Sequence, residues 1–395
     1  MSTATAGLAS VSDNKALLSA HLSLLMSAFI RPDLQAFAAY SAHTTTEAPA
    51  APTVIDHLDT NESSYDLPAF LKEKLAWEYQ QVIQANRYPD GGHGALRAAI
   101  ADYASRPTST DDLTVTADHI IVGNGSDELI RSLLIATCVG RPGAILVAEP
   151  TFSMYKILAQ TLGVEVLTVG RDEATFEVDI PAAQRAIAQN STPVRLVFMV
   201  SPNSPTGNSL TTAELDWLRG LPEDILVVVD EAYFEFSQQS TLPDALTRSN
   251  WLITRTFSKA FRLAAHRVGY AIAQPELIMT LEKVRLPYNL PSFSQAAALI
   301  ALRYASDILA TVNEVQAERD RLSQAINALP HFQSWPSTAN FIYGRPIAHS
   351  LAAVQQKLYQ QGTQIRQTGG GLRITVGTPV ENDRTLAHLR ETLMA

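Results

Sequence analysis

The chain has 395 residues, a formal net charge of −9 and a pI near 5.5, with 46% hydrophobic and 17% charged residues. It is long enough for a large core and too acidic to suit a nucleic-acid backbone; a charged fraction below the usual ~25% suggests extensive buried or subunit-facing surface, hence an oligomer. The single cysteine, Cys138, cannot close an intrachain disulfide, which points to a reducing, cytoplasmic compartment, and the nine histidines show no zinc-ligand spacing, so no metal is expected.

In chain order, residues 16–30 (ALLSAHLSLLMSAFI) are apolar but shorter than the ~20 residues that cross a bilayer. Lys15 is the only base before them, so they read as an amphipathic helix or extension rather than a targeting segment. Residues 41–53 (SAHTTTEAPAAPT) read as a linker or extended arm. From about 115 to 275 short apolar runs alternate with helical stretches: HIIVG (119–123), AILVA (144–148), RLVFMV (195–200), ILVVVD (225–230), NWLITR (250–255) and VGYAIA (268–273). Continuous apolar runs of this length mark strands buried on both faces. The expected fold class is therefore α/β, a three-layer α/β/α domain around a mostly parallel sheet. After 275 the pattern changes to a helix (AERDRLSQAINALP) and short strands (NFIYGRP, LRITVGT), the mark of a smaller α+β domain. The expected organisation is an extension (1–28), an arm with part of the small domain (29–85), a large domain (86–290) and a C-terminal small domain (291–395).

Ligands of open α/β sheets bind beyond the carboxyl ends of the strands. The first run leads into GNGSDELI, where Gly125, Ser126 and Asp127 open a helix whose free N–H groups suit a phosphate. The next ends in EPTFSMY, which offers Phe152 as an aromatic plate; SPNSPTGN follows the third and offers Asn203. The fourth ends at Asp230, with Tyr233 three residues on. A carboxylate at the end of a buried strand costs desolvation unless a positive or hydrogen-bonding partner meets it. The fifth delivers Lys259 through TFSK. Around it, no acid occurs between Asp244 and Glu276, while Arg248, Arg255, Lys259, Arg262, His266 and Arg267 do, so an anion is expected nearby.

Each feature has a plainer reading: a turn, a core aromatic, an Asx-turn, a basic surface helix. Five adjacent strand ends that offer a phosphate cup, a plate, an amide, an acid with a tyrosine, and a lysine call for one ligand. It is flat and phosphorylated, carries a basic ring nitrogen, and reacts with an amine. Pyridoxal 5′-phosphate meets every requirement. Lys259 would form the Schiff base and later act as the base at the substrate Cα, its amine pKa lowered by a cationic neighbourhood. Asp230 would keep the ring nitrogen protonated. Tyr233 and Asn203 would hydrogen-bond the ring oxygen and Phe152 would stack on the ring. Gly125, Ser126, Asp127, Thr256, Ser258 and Arg267 would hold the phosphate.

The stretches SPNSPTGN, VVVDEAYFEF and TRTFSKAFRLAAHRVGY resemble the class II aminotransferases of fold type I. With LDTNESSYDLP, NRYPDGGH, KVRLPYNLPSFSQAAA and LRITVGTPVEND, the resemblance narrows to the histidinol-phosphate aminotransferase family, from about residue 29 to the end. It implies transfer of an amino group from L-histidinol phosphate to 2-oxoglutarate in histidine biosynthesis, ping-pong through pyridoxamine phosphate. It also implies a homodimer with a shared site, in which Tyr88 reaches the partner's cofactor phosphate. Arg373 would bind the glutamate carboxylate or the substrate phosphate, with Arg366, Asn61 and Tyr40 assisting. The chain departs from the family pattern at Ser204, where a second Asn is commoner, at Ser64, where Pro is common, and at Arg262 and His266, where many relatives carry small or apolar residues. Other readings with the same cofactor are an aromatic aminotransferase or a phospho-amino-acid decarboxylase; a non-catalytic cofactor-binding regulatory module is a third.

Overall fold

The structure is a computed structural model that describes residues 29–35, 37, 54–106 and 114–394. The expected extension at 1–28, the linker at 41–53 and Tyr40 lie outside the described residues. Met1–Glu47 form one compact unit, of which the helix Pro32–Gln35 is described. Ala48–Ala395 form the other, and everything below lies within it. Among the described residues no helix is long and apolar enough to cross a membrane.

Among the described residues of this unit a short strand, β1 (Asp56–His57), comes first, and a seven-stranded sheet follows. Its strands are β2 (Ile120–Asn124), β3 (Ala144–Ala148), β4 (Glu165–Val169), β5 (Val194–Val200), β6 (Leu226–Asp230), β7 (Trp251–Thr256) and β8 (Val268–Ala273). They lie in the order β2-β8-β7-β6-β5-β3-β4, parallel except for β8, which runs antiparallel to both neighbours. Alternate residues serve opposite faces, as the period of a strand requires. Val197, Val227, Val229 and Ile253 join a core that includes Leu96 and Ile100 of helix Gly94–Ser105 and Ala297 and Ala301 of helix Ser292–Arg303. Leu196, Phe198, Val228 and Leu252 join a second core with Leu129 and Leu133 of helix Gly125–Thr137 and Tyr155 of helix Met154–Thr161. Two buried faces explain why these strands read as unbroken apolar runs.

A four-stranded antiparallel sheet of order β12-β13-β10-β9 follows, built from β9 (Phe332–Trp335), β10 (Phe341–Pro346), β12 (Arg366–Thr368) and β13 (Gly371–Thr375). The helices Val312–Asn327, Leu351–Gln360 and Pro379–Met394 contribute Leu322, Leu358 and Leu389 to its core. β1 pairs in parallel with β11 (Thr363–Gln364), and Leu58 packs into the same core. The chain after β1 is then tied to β13, because Thr375 N–H donates to the Leu58 carbonyl over 3.0 Å. That pairing carries residues 59–66 to the carboxyl edge of the large sheet.

Candidate active site

The register of the sheet sets the site. Val200, Asp230 and Thr254 sit side by side at the ends of β5, β6 and β7, and Thr256, Gly269 and Gly123 sit side by side across β7, β8 and β2. The five expected strand ends therefore share one edge, but they are not all adjacent: antiparallel β8 separates β2 from β7. The correction brings Gly269 into the cup. A Cβ there would stand 2.5 Å from Ser126 N and 2.6 Å from Gly125 C, so only glycine lets the helix start approach the sheet this closely.

Gly125 takes φ +72° and donates its N–H to the Arg267 carbonyl over 2.8 Å. Ser126 and Asp127 begin the helix, where first-turn N–H groups have no intrahelical acceptor. Arg267 donates to the Asp127 carboxylate at 3.2 Å and to Ser258 Oγ at 3.4 Å, and Thr256 Oγ1 donates to Ser258 Oγ at 3.0 Å. The structure thus brings Gly125, Ser126, Asp127, Thr256, Ser258 and Arg267 together at the start of this helix.

Asp230 is buried. Its Oδ2 accepts from the Tyr155 hydroxyl at 2.7 Å and its Oδ1 from the Ala232 N–H at 3.1 Å. Burial raises its pKa to about 6 against these hydrogen bonds. Tyr155 is fully buried, stacked on Phe198 at 4.6 Å and edge-on to Phe152 at 5.5 Å. The stretch EPTFSMY offers Tyr155 as well as Phe152, three residues on, at the start of the helix that follows β3.

Lys259 is partly buried, and its Nζ donates to the Thr60 carbonyl at 2.9 Å. Its amine pKa is lowered, first by burial, with smaller contributions from Arg373 and Arg267. Desolvation, more than the expected cationic neighbourhood, is therefore what lowers it. Two bases of that neighbourhood are neutralised from outside it: Arg255 is buried against Glu231 at 2.8 Å, and Arg248 meets Asp244 at 3.3 Å. Tyr233 lies under Lys259, with Nζ 5.9 Å from the ring centre, and its hydroxyl accepts from Asn61 Nδ2 at 2.9 Å. Asn61 adopts φ +55°, and its carbonyl accepts from Asn340 Nδ2 at 3.1 Å.

Asn203 is buried just beyond the end of β5. Its Nδ2 donates to the Pro150 carbonyl at 3.0 Å and to Thr206 Oγ1 at 2.7 Å, and its Oδ1 accepts from Thr151 at 3.1 Å. These bonds tie the amide to its own loop. The next residue, Ser204, accepts from Arg373 Nη1 at 3.1 Å. Arg373 Nη2 donates to the Asp59 carbonyl at 2.6 Å. Arg366 stands opposite Arg373 across the β12–β13 pair. Like charges directly opposed on a sheet are destabilising, and an anion between them reverses the sign. Tyr88 lies apart from these groups: it is 81% exposed and stacks on Tyr288 at 4.6 Å.

Residues 54–389 match the family model of class I and II aminotransferases. The chain is 56% identical to histidinol-phosphate aminotransferase 2 of Nostoc sp., over 93% of this chain and 98% of that protein. It is 53% identical to histidinol-phosphate aminotransferase of Trichodesmium erythraeum, over 92% of this chain and 99% of that one. Its fold is that of histidinol-phosphate aminotransferase from Sinorhizobium meliloti, solved in complex with pyridoxal-5′-phosphate, with a TM-score of 0.78 at 20% identity over 93% of this chain and 99% of that one. An amine, a buried acid and an anion cup at one sheet edge accord with these matches: the chain belongs to the class I and II aminotransferases.

Proposed function

We propose that the protein is a pyridoxal-phosphate-dependent transaminase that moves an amino group from L-histidinol phosphate to 2-oxoglutarate, a step of histidine biosynthesis. The observation that carries the reading is the convergence of Lys259, Asp230 and Tyr233 at one edge, in a chain 56% identical to a protein of that name. The residues fit the cofactor. Asp230 is held by two neutral donors, so a protonated ring nitrogen supplies the positive partner its burial calls for. The Gly125–Gly269 approach leaves backbone N–H groups for the phosphate.

When bound, pyridoxal phosphate withdraws electrons from the substrate Cα, making its proton labile. The chain's residues do the rest. Asp230 stays ionised against the ring nitrogen. Tyr233, oriented by Asn61, gives its hydroxyl to the ring oxygen, and Phe152 covers the ring. Ser126, Asp127, Thr256, Ser258 and Arg267 hold the phosphate. Lys259, its amine pKa lowered by burial, anchors the cofactor and then takes and returns the proton at the substrate Cα. Arg373 and Arg366 hold the distal anion: the phosphate of one substrate, the carboxylate of the other.

The chain works as a homodimer in this reading. Trp77, Tyr79, Leu286, Tyr288 and Phe293 are exposed apolar side chains, with Tyr79 against Phe293 and Tyr88 against Tyr288, surface that a second copy would cover. Tyr88 would then reach the partner's cofactor phosphate. A cytoplasmic location accords with one cysteine, Cys138, unpaired and buried. The test is a half-reaction. L-Histidinol phosphate added without keto acid should bleach the visible band of the loaded protein, and 2-oxoglutarate should restore it. A band that ignores histidinol phosphate but responds to phenylalanine overturns the substrate assignment.

A further inference from the structure

Arg262 lies outside the groups placed around the cofactor, yet it sits three residues after Lys259 in a costly conformation. Its φ is +59°, a region that side-chain-bearing residues rarely occupy and that glycine adopts without strain. Its N–H closes the lysine turn onto the Lys259 carbonyl at 3.0 Å. Its guanidinium then reaches two further segments. Nη1 donates to the Asp66 carbonyl at 3.0 Å; Nη2 donates to the Ile308 carbonyl at 2.8 Å and to Thr311 Oγ1 at 2.5 Å. The group lies 5.7 Å from the Tyr65 ring centre. A strained backbone that persists with three bonds at the tip of its side chain is held there by those bonds.

The segment it grips is the one Lys259 touches. Residues 60–66 meet the lysine turn at two points, Lys259 Nζ on the Thr60 carbonyl and Arg262 on the Asp66 carbonyl. Between them lies Asn61, which orients the Tyr233 hydroxyl. The third grip fixes both to the head of helix Val312–Asn327. We infer that Arg262 is a positioning residue, a three-way staple that sets the height of Lys259 Nζ over Tyr233 and keeps the 60–66 segment closed over it. When Lys259 leaves Thr60 to act on substrate, Arg262 is the tie between the two segments that remains. A lysine at 262 offers no planar fork to span both acceptor sets, and a glycine keeps the turn without the grip.

The inference rests on Lys259 being the cofactor's anchor, and the experiment separates the two. The cofactor-free full-length protein is mixed with pyridoxal phosphate across pH, and the growth rate of the visible band is followed; that rate tracks the neutral fraction of the Lys259 amine. Hydrogen exchange of the peptide spanning 58–68 is read on the same proteins. Arg262→Gly is expected to admit water at the lysine and shift the half-maximal pH upward by about half a unit or more, the change one hydrogen bond commands. Exchange of the 58–68 peptide should quicken by roughly threefold or more. Arg262→Lys should fall between, and serves alone if the glycine variant does not fold. Both readouts unchanged, with only the melting temperature lowered, would overturn the inference. A wild-type chain that forms no band at any pH would instead overturn the cofactor reading on which it rests.

Discussion

Tyr155→Phe removes one oxygen and leaves the ring contacts with Phe198 and Phe152 in place. What it deletes is the 2.7 Å donation to Asp230 Oδ2. A hydrogen bond to a buried charge is worth about 1.5–3 kcal/mol, and one pKa unit is ~1.4 kcal/mol, so the Asp230 value should rise by roughly one to two units. It starts from about 6, already above the ordinary 3.8 because of burial. The sign follows from linkage. Between 3.8 and about 6 the folded chain keeps a proton the unfolded chain has lost, so this group's contribution to stability falls as pH rises through that window. A protonated ring nitrogen prefers ionised Asp230, so cofactor affinity gains from this group as pH rises, then levels off above its pKa. Visible titration of the cofactor-free protein at a series of pH values measures this. The variant should bind roughly tenfold more weakly near pH 6.5, where its Asp230 is mostly protonated, and nearly as well as wild type near pH 8.5. Superimposable affinity curves would refute the pairing of Tyr155 with Asp230 as the device that keeps the acid charged.

Gly269→Ala drives a Cβ to 2.5 Å from the Ser126 backbone nitrogen; differential scanning calorimetry should show destabilisation of about 1–3 kcal/mol, with weaker cofactor binding. Arg373→Lys keeps the charge but loses the fork that spans Ser204, Asp59 and substrate, and steady-state kinetics should show kcat/KM lower by roughly ten- to a hundredfold. If Tyr88 serves the partner's site, Tyr88→Ala and Lys259→Ala are each impaired, and refolding them together should restore activity that neither has alone. No gain on mixing contradicts the shared site.

Much of the fold was legible because its strands are buried on both faces. AILVA and VGYAIA coincide with β3 and β8, and the other four runs match their strands to within a residue. β4 escaped notice because, at the sheet edge, only Val169 of its five residues is buried, so EVLTV shows no continuous apolar run. The antiparallel sense of β8 was not legible either, since strand direction leaves no trace in a buried run. At the site, Lys259, Asp230 and Tyr233 could be placed because each lies at a strand end or within three residues of one. For Asn203, the position in the loop could be read, but not the direction of its amide, which Pro150, Thr151 and Thr206 set in this structure. Thr60 and Asn61 are brought to Lys259 and Tyr233, and Asp66 to Arg262, by contacts far apart in sequence, which no local pattern encodes.

The most direct test of the account is where the cofactor is attached. The loaded protein is treated with borohydride, digested, and its peptides are weighed and fragmented. The account predicts the added pyridoxyl phosphate mass on Lys259 and on no other lysine. That mass on another lysine, or on none while the protein remains yellow, would contradict it.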